Sequence, residues 1–225
     1  MTKLGIIVNL DIQNDTNSIN AGLRKRQIAN AYNSTSETAR TFAIPKSVAW
    51  NVNYRSQLAQ LKIYGDLYGG LEYASSGEFP GQDIGAMAYA DQENAISDTK
   101  KAVESAYVCG NNPIVVKGFY SDKQNGDTQN IINVDGFAYN IGKSFPVDFQ
   151  DIDIKNAGFT SDEWLSLLKS RFSDGSDMVV MFNLSLSYPE GVYYMKEGGW
   201  NGAAWAFVSW AKANGAQFVQ ACEIS

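Results

Sequence analysis

Short apolar runs alternate with segments of helical periodicity along the whole chain, and this alternation constrains the fold most. Leu4–Leu10 (LGIIVNL) and Met178–Phe182 (MVVMF) are nearly continuous apolar runs, which is typical of strands that are buried on both faces. Asn94–Val108 carries apolar residues at every third or fourth position and is followed by Gly110, which predicts a helix. Strands that alternate with helices favour an α/β fold with a mostly parallel sheet, either open or closed into a barrel. In such folds the functional groups lie at the carboxyl ends of the strands, and the predicted strand ends are Asp11, Met87, Lys117 and the Phe182–Asn183 pair.

Other segments extend this alternation to both halves of the chain. Thr160–Glu163 (TSDE) is a capping box, and the apolar residues that follow it at helical spacing predict a helix ending before Gly175. Gly202–Asn214 is predicted as a further helix and Gln217–Ala221 as the last strand. Further predicted elements are helices at Leu23–Tyr32 and Tyr54–Leu67 and strands at Thr41–Ile44 and Ile114–Val116. Because no linker interrupts the pattern, residues 1–225 are predicted to form one domain.

The chain contains no histidine, and this absence excludes whole classes of function. It removes Ser-His-Asp and Cys-His nucleophile activation and every zinc site that uses imidazole. A formal net charge of −6 with only 18 Lys and Arg residues lacks the basic footprint of a nucleic-acid binder. No apolar stretch approaches the roughly 18 residues of a membrane span. The first apolar run is too short for a signal sequence, so we expect a soluble protein whose compartment stays open.

The two cysteines, Cys109 and Cys222, lie far apart in the sequence and show no metal-binding spacing. Separation along the chain does not decide whether they meet, so a disulfide and two buried thiols both stay open. The spacing of the cysteines predicts no metal, and the sequence contains no glycine-rich phosphate-binding motif. We therefore predict no metal and no other cofactor.

The order of the segments resembles the polysaccharide deacetylase family, also called the NodB-homology domain or carbohydrate esterase family four. Four stretches carry the resemblance: Ile6–Gln13 (IIVNLDIQ), similar to the first family strand; Asp83–Asp91 (DIGAMAYAD), similar to the E-I-G-x-H-T-x-S-H segment; Pro113–Tyr120 (PIVVKGFY), similar to the F-R-x-P strand; and Gly175–Asn183 with Gly215–Val219 (GAQFV), similar to the G-x-I-x-L-x-H strand and the family's last strand. The family fold is a distorted (β/α) barrel. The resemblance therefore implies about seven mostly parallel strands.

Carried over residue by residue, the resemblance implies a site that has lost its metal ligands. Asp11 takes the place of the family's catalytic base. The other family positions fall as follows: the metal-binding acid on Ile12 or Gln13, the two metal histidines on Met87 and Asp91, the base-orienting arginine on Lys117, and the late catalytic histidine near Phe182 or Asn183. The family reaction needs a divalent metal, and one good oxygen ligand falls short of the usual three protein ligands. The resemblance thus implies a deacetylase fold without metal and without another cofactor.

An aromatic stretch, Tyr188–Gly202 (YPEGVYYMKEGGWNG), follows a predicted strand end. The candidate ligand-binding residues in it are Tyr188, Tyr193, Tyr194 and Trp200. Flat aromatic faces can stack on sugar rings, and the neighbouring Glu190 and Glu197 can accept hydrogen bonds from hydroxyl groups. An aromatic lid over the barrel or an oligomer interface explains the same composition equally well. A glycosidase acid pair of Glu190 and Glu197 is a further, less favoured interpretation.

Three polar clusters have both a functional and a structural interpretation. Asp11 and Asp15 are either paired carboxylates, one of them a general base, or a strand-end residue and a solvated side chain. Asp148–Asp153 (DFQDID) is either a calcium site or a solvated acidic loop, and the loop is favoured. Asp122–Asp127 is either a ligand-binding loop over a cleft or simply a turn with Asn-Gly at its tip, and the turn is favoured.

Together these observations predict a metal-free, catalytically inactive deacetylase-like domain that serves in carbohydrate binding or in structural assembly. Two alternatives stay open. One is a carbohydrate-active hydrolase, a deacetylase or glycosidase, that uses carboxylates with Asp11 as base. The other is a viral or surface assembly protein that binds protein partners. A polysaccharide or oligosaccharide is the expected ligand, and a homo-oligomer is left open.

Overall fold

Eight parallel strands form one sheet in the computed structural model, which describes residues 1–11, 40–51, 58–59, 62–63, 66, 71–79, 82–106, 113–121, 123–141, 148–151, 160–185 and 200–224. The strands are β1 (Lys3–Asp11), β2 (Arg40–Ile44), β3 (Leu71–Ser75), β4 (Val116–Tyr120), β5 (Tyr139–Ile141), β6 (Asp148–Asp151), β7 (Met178–Ser185) and β8 (Gln217–Val219). Their order is β5-β4-β3-β2-β1-β7-β6, and β8 pairs with β1 off this path.

This order is that of a curled (β/α) barrel with one open seam. Strands β1 to β5 follow one another in space as they do in sequence, and β6 and β7 continue the circle on the other side of β1. The seam lies between β5 and β6, which do not pair within the described residues. The predicted α/β fold, a distorted barrel of about seven mostly parallel strands, is therefore confirmed.

Five α-helices alternate with the strands in the described ranges. They are α1 (Lys46–Ala49), α2 (Tyr89–Ser105), α3 (Gly126–Val134), α4 (Ser161–Ser173) and α5 (Trp200–Ala213). Short 3-10 turns lie at Ile84–Ala86 and Ala221–Glu223. None of the helices in the described part of the chain is both long and apolar enough to cross a membrane.

The hydrophobic core has two layers, one on each face of the sheet. Leu4 and Ile6 of β1 belong to the larger layer, between the sheet and the helices. Ile7 belongs to the smaller layer inside the curled sheet, with Ala43, Met181 and other strand residues. Successive strand residues point to opposite faces, so a strand buried on both faces must be apolar throughout. This accounts for the continuous apolar run in β1.

Side-chain caps set the starts of α3 and α4, and the start of α3 differs from the sequence prediction. The capping box before α4 is confirmed, because the Thr160 amide donates to Glu163 Oε2 at 2.6 Å and the Glu163 amide donates to Thr160 Oγ1 at 3.3 Å. The predicted turn tip is wrong, since Asn125 is the N-cap of α3 and Gly126 is the first helical residue. Asn125 Oδ1 accepts hydrogen bonds from two amides of the first helical turn.

Two further elements correct the sequence predictions, and two predicted helices cannot be compared. Asp148–Asp151 forms strand β6 rather than an acidic loop. Helix α2 begins at Tyr89, before the predicted start at Asn94. The predicted Leu23–Tyr32 helix lies outside the described residues, as does most of the predicted Tyr54–Leu67 helix.

Candidate functional site

The carboxyl ends of the parallel strands share one edge of the sheet, which is where sites form in such folds. Asp11 is the last residue of β1 and pairs in register with Ser185, the last residue of β7. Asn183 pairs with Asn9 on the same two strands. Strand β7 thus continues past Asn183, where the sequence predicted its end. The backbone places Asp11 and Asn183 on neighbouring strands at the carboxyl edge.

Met87 lies in the connection from β3 to α2 and Asp91 in the first turn of α2, so both follow the carboxyl end of β3. The prediction that Met87 ends a strand is wrong, because the strand here is Leu71–Ser75 and a 3-10 turn precedes Met87. Met87 is half-buried and packs against the larger core layer. Asp91 is exposed in the first turn of α2. Met87 is therefore a packing residue as much as a candidate ligand.

Hydrogen bonds from side-chain amides join the β3–α2 and β4–α3 connections at this edge. The Gly85 amide donates to the carbonyl of Lys123 at 2.9 Å, and Asn125 Nδ2 donates to the Gly85 carbonyl at 2.8 Å. Buried Gln92 donates to the Met87 carbonyl at 3.0 Å and accepts from Thr128 Oγ1 at 2.7 Å. These bonds fix both connections against each other, so this part of the barrel mouth has a defined shape.

A second amide group extends this region to β5. Gln124 Nε2 donates to Asn140 Oδ1 at 2.9 Å and to the Ile141 carbonyl at 3.0 Å. Asn140 Nδ2 in turn donates to Gln124 Oε1 at 2.6 Å and to Gln129 Oε1 at 2.7 Å. The sequence gives little signal for this group, because Gln124 lies in a connection, Gln129 in α3 and Asn140 in β5, and only the fold brings them together.

Lys117 lies away from the carboxyl edge, contrary to the sequence prediction. It is the second residue of β4, which continues to Tyr120. Its Nζ lies 3.8 Å from Glu72 Oε2 and 3.9 Å from the sulfur of Cys222. Both partners lie near the amino ends of the strands, so Lys117 and Asp11 do not belong to one site.

A buried carboxylate, Glu72 in β3, organises this amino end. Its Oε1 accepts hydrogen bonds from Tyr139 Oη at 2.6 Å, Thr41 Oγ1 at 2.9 Å and the Cys222 amide at 3.3 Å. Burial and the neighbouring Glu72 charge raise the pKa of Tyr139 well above its usual value. The cluster attaches the turn at Ala221–Glu223 to the interior of the curled sheet.

Cys222 sits in the same environment and is present as a thiol. Burial, together with the hydrogen bond and charge of Glu72, raises the pKa of the thiol to about 11, although Lys117 acts in the opposite direction. A thiol that stays protonated at neutral pH is a weak nucleophile. Cys109 lies outside the described residues.

A cavity of about 230 Å³ opens beside this cluster. It is lined by Lys62, Asp66, Val115 and Lys117 among others, and it lies at the amino ends of β3 and β4. Because this is the end of the sheet opposite to Asp11, the cavity is separate from the site that the family resemblance implies.

The described residues do not fit the metal site that is typical of the deacetylase family. Within the described ranges, no three carboxylate or thiol side chains come close enough together to hold a metal ion. The whole chain also lacks histidine. The position of one metal histidine falls on the core-packed thioether of Met87, and the other falls on the exposed Asp91. A thioether does not replace imidazole for zinc.

The predicted aromatic site lies mostly beyond the described part of the chain. Tyr188, Tyr193 and Tyr194 fall outside it, and Trp200 is the first residue of α5. The structure reveals other exposed aromatic side chains on the carboxyl side, Trp50 and Phe79 among them. Both follow a strand end in the sequence, which is the signal that could have identified them.

No family model and no curated protein matches the chain. Among solved structures, a 4-alpha-glucanotransferase from Thermococcus litoralis is similar over 100% of this chain, with a TM-score of 0.63 and 14% identity. The chain spans 40% of that enzyme. A family 4 carbohydrate esterase from Bacillus anthracis is similar over 99% of this chain and 82% of its own, with a TM-score of 0.58 and 8% identity. The resemblance to the deacetylase fold is therefore confirmed at the level of the fold.

Proposed function

We propose that this chain is a carbohydrate-binding domain built on a deacetylase-like barrel that does not carry out metal-dependent deacetylation. The observation that carries the proposal is a barrel similar to those of a glucanotransferase and a carbohydrate esterase in a chain without a single histidine. The fold supports a sugar ligand. The missing imidazoles remove the ligands that would hold a hydrolytic cation at the barrel mouth.

The chemistry of the carboxyl edge supports binding more than hydrolysis. Gln92 bonds to Asn125 there, and Gln124 bonds to Asn140, so neutral amides that do not change charge hold this edge. Gln92 is buried and positions the connections, whereas the exposed Asn125 and the half-buried Gln124 can contact hydroxyl and acetamide groups of a ligand. Neutral amides cannot act as a general base at neutral pH or polarise a carbonyl as a metal does.

The proposal is tested by measuring binding and hydrolysis together on the purified chain. Isothermal titration calorimetry with chitin and peptidoglycan oligomers is expected to give binding that is unchanged by EDTA. Acetate release from the same oligomers is expected to stay at background with added zinc, nickel or cobalt. Metal-dependent acetate release would overturn the loss of catalysis. Absence of binding to every oligomer, combined with a stable oligomeric state in light scattering, would instead favour an assembly protein.

A second candidate, a hydrolase that uses Asp11 as base, is favoured by the backbone position of Asp11 at the end of β1. This candidate requires hydrolysis that survives EDTA and disappears in Asp11→Asn. Asp91→Asn is the matched control, because Asp91 is an exposed carboxylate on the same side of the sheet. Under the first proposal, the wild type and both variants show no hydrolysis.

A further inference from the structure

Two exposed aromatic side chains, Trp50 and Phe79, lie on neighbouring connections at the carboxyl side of the sheet. Trp50 ends α1, which follows β2, and 58% of its surface is exposed. Phe79 follows β3 and is 53% exposed. The Ser47 amide donates to the carbonyl of Glu78 at 2.8 Å, so the backbone holds the start of α1 beside the residue that precedes Phe79.

Lys46 fixes the orientation of the Trp50 ring. Its Nζ lies 4.4 Å from the ring centroid, 3.0 Å from Glu78 Oε1 and 3.5 Å from Asp98 Oδ2. Burial lowers the pKa of Lys46, but hydrogen bonds and charge from Glu78 and Asp98 more than offset this and raise it. The ammonium group therefore stays charged and covers one face of the indole. Since Trp50 as a whole is 58% exposed although Lys46 lies over its ring, we infer that the ring face away from Lys46 is the one that a ligand would contact.

The chemistry beside this open face matches a sugar ring. The side chains of Glu78 and Asp98 are 36% and 53% exposed, so their carboxylates can accept hydrogen bonds from a ligand. A flat apolar surface with polar acceptors at its margin suits a pyranose, which has apolar C–H faces and a rim of hydroxyl groups. The centres of protein interfaces, by contrast, are depleted in charged residues, whereas the lysine that lies against the Trp50 ring is itself paired with two carboxylates.

The charges of Lys46, Glu78 and Asp98 restrict the class of sugar that can bind. One lysine stands against two carboxylates, and the whole chain has a formal net charge of −6. A uronic acid or phosphorylated sugar would be repelled at this position. A neutral sugar, or an amino sugar that carries a positive charge, would not.

We propose that Trp50, Glu78, Phe79 and Asp98 form a sugar-binding surface, the Trp50 subsite, for a neutral or amino-sugar polymer. This inference rests on the proposed function and adds the position and the charge class of the ligand. Trp50 supplies the stacking face, and Lys46 positions the ring from behind. The carboxylates accept hydrogen bonds from the hydroxyl or ammonium groups of the sugar, and Phe79 extends the apolar surface along the polymer.

The test compares three oligomers of similar length by calorimetry: chitin (neutral), chitosan (cationic) and polygalacturonate (anionic). The wild type is expected to bind chitin and chitosan and not polygalacturonate. Trp50→Ala is expected to weaken that binding about tenfold or more, because truncation of a central aromatic anchor has effects of this size. Trp50→Phe should recover most of the affinity. Glu78→Gln should weaken chitosan binding more than chitin binding, since it removes a negative charge.

Val115→Ala is the matched control, because Val115 is an exposed apolar residue at the amino end of β4. It is expected to bind all oligomers as the wild type does. If the wild type binds but Trp50→Ala binds equally well, the Trp50 subsite is wrong and the proposed function stands. If the wild type binds no oligomer, the proposed function fails first. The Trp50 subsite would also be overturned if the wild type preferred polygalacturonate. The same holds if the wild-type protein self-associates and only Trp50→Ala abolishes that association.

Discussion

Gly118→Ala is expected to destabilise the fold strongly, because the ring of Tyr139 lies across Gly118. The two residues pair directly on neighbouring strands β4 and β5. A Cβ atom at Gly118 would lie 2.1 Å from two carbons of the Tyr139 ring and 2.6 Å from its hydroxyl oxygen. Tyr139 passes over β4 to reach Glu72 on β3, and only glycine leaves room for that crossing.

The size of the stability loss in Gly118→Ala follows from the contacts that the added methyl group displaces. Carbon atoms in contact lie about 3.5–4.0 Å apart, so the ring must move by about 1.5 Å. The 2.6 Å hydrogen bond from Tyr139 to Glu72 cannot survive that movement. A bond to a charged acceptor contributes about 1.5–3 kcal/mol, and overpacking costs about 1–3 kcal/mol. We therefore expect the free energy of unfolding to fall by about 3–5 kcal/mol.

The measurement is urea unfolding followed by circular dichroism. Gly126→Ala is the matched control, since a Cβ at this first residue of α3 meets nothing within 4 Å. It should leave stability unchanged or raise it by up to about 1 kcal/mol. In Gly118→Ala/Tyr139→Ala the clash is gone, so the double variant should be about as stable as Tyr139→Ala alone. The reasoning would be refuted if Gly118→Ala and Gly126→Ala unfolded at the same urea midpoint. It would also be refuted if the stability losses of Gly118→Ala and Tyr139→Ala simply added in the double variant.

Three further predictions concern caps and titrating groups. Asn125→Ala should lower the free energy of unfolding by about 1–2 kcal/mol through loss of the α3 cap, whereas Asn133→Ala on the same helix should change it little. With the other cysteine replaced by serine, alkylation of Cys222 by iodoacetamide should accelerate up to a pH of about 11, because its pKa is raised, and a plateau near pH 9 would contradict this. The pKa of Glu163 should lie below its ordinary value, because the Thr160 amide and hydroxyl donate to its carboxylate. Thr160→Ala should return that pKa part of the way, as measured by carbon NMR of the carboxyl group.

The sequence predicted those elements whose signals are local. Strands β1 and β7 were predicted because burial on both faces forces continuous apolar runs. Helix α4 was predicted because its capping box lies within four consecutive residues. In these cases, the residues that stabilise the element also give the sequence pattern that predicts it.

Elements that depend on distant partners were missed or shifted. Strand β3 has Glu72 in its interior, and this carboxylate is stabilised by groups from β2, β5 and the turn after β8, which lie far away in sequence. Strand β4 was placed too early, because its apolar signal precedes the less apolar Lys117-Gly118, which remain in the strand. That shift put Lys117 at the wrong end of the sheet.

The candidate site was predictable only in part for the same reason. Asp11 comes directly after the continuous apolar run of β1, so the sequence predicts its position at the carboxyl edge. The exposure of Trp50 and Phe79 depends on which neighbours cover them in three dimensions. Composition alone does not distinguish exposed aromatic residues such as these from aromatic residues of the core.

The pairing of β1 has a consequence for how the protein matures during synthesis. β1, which begins at Lys3, leaves the ribosome before the other described strands, and two of its partners, β7 from Met178 and β8 from Gln217, emerge much later. At a synthesis rate of about 5–20 residues per second, β1 stays without β7 and β8 for roughly ten to forty seconds. We expect the nascent chain to recruit chaperones early and to aggregate when translation stalls before β7 emerges.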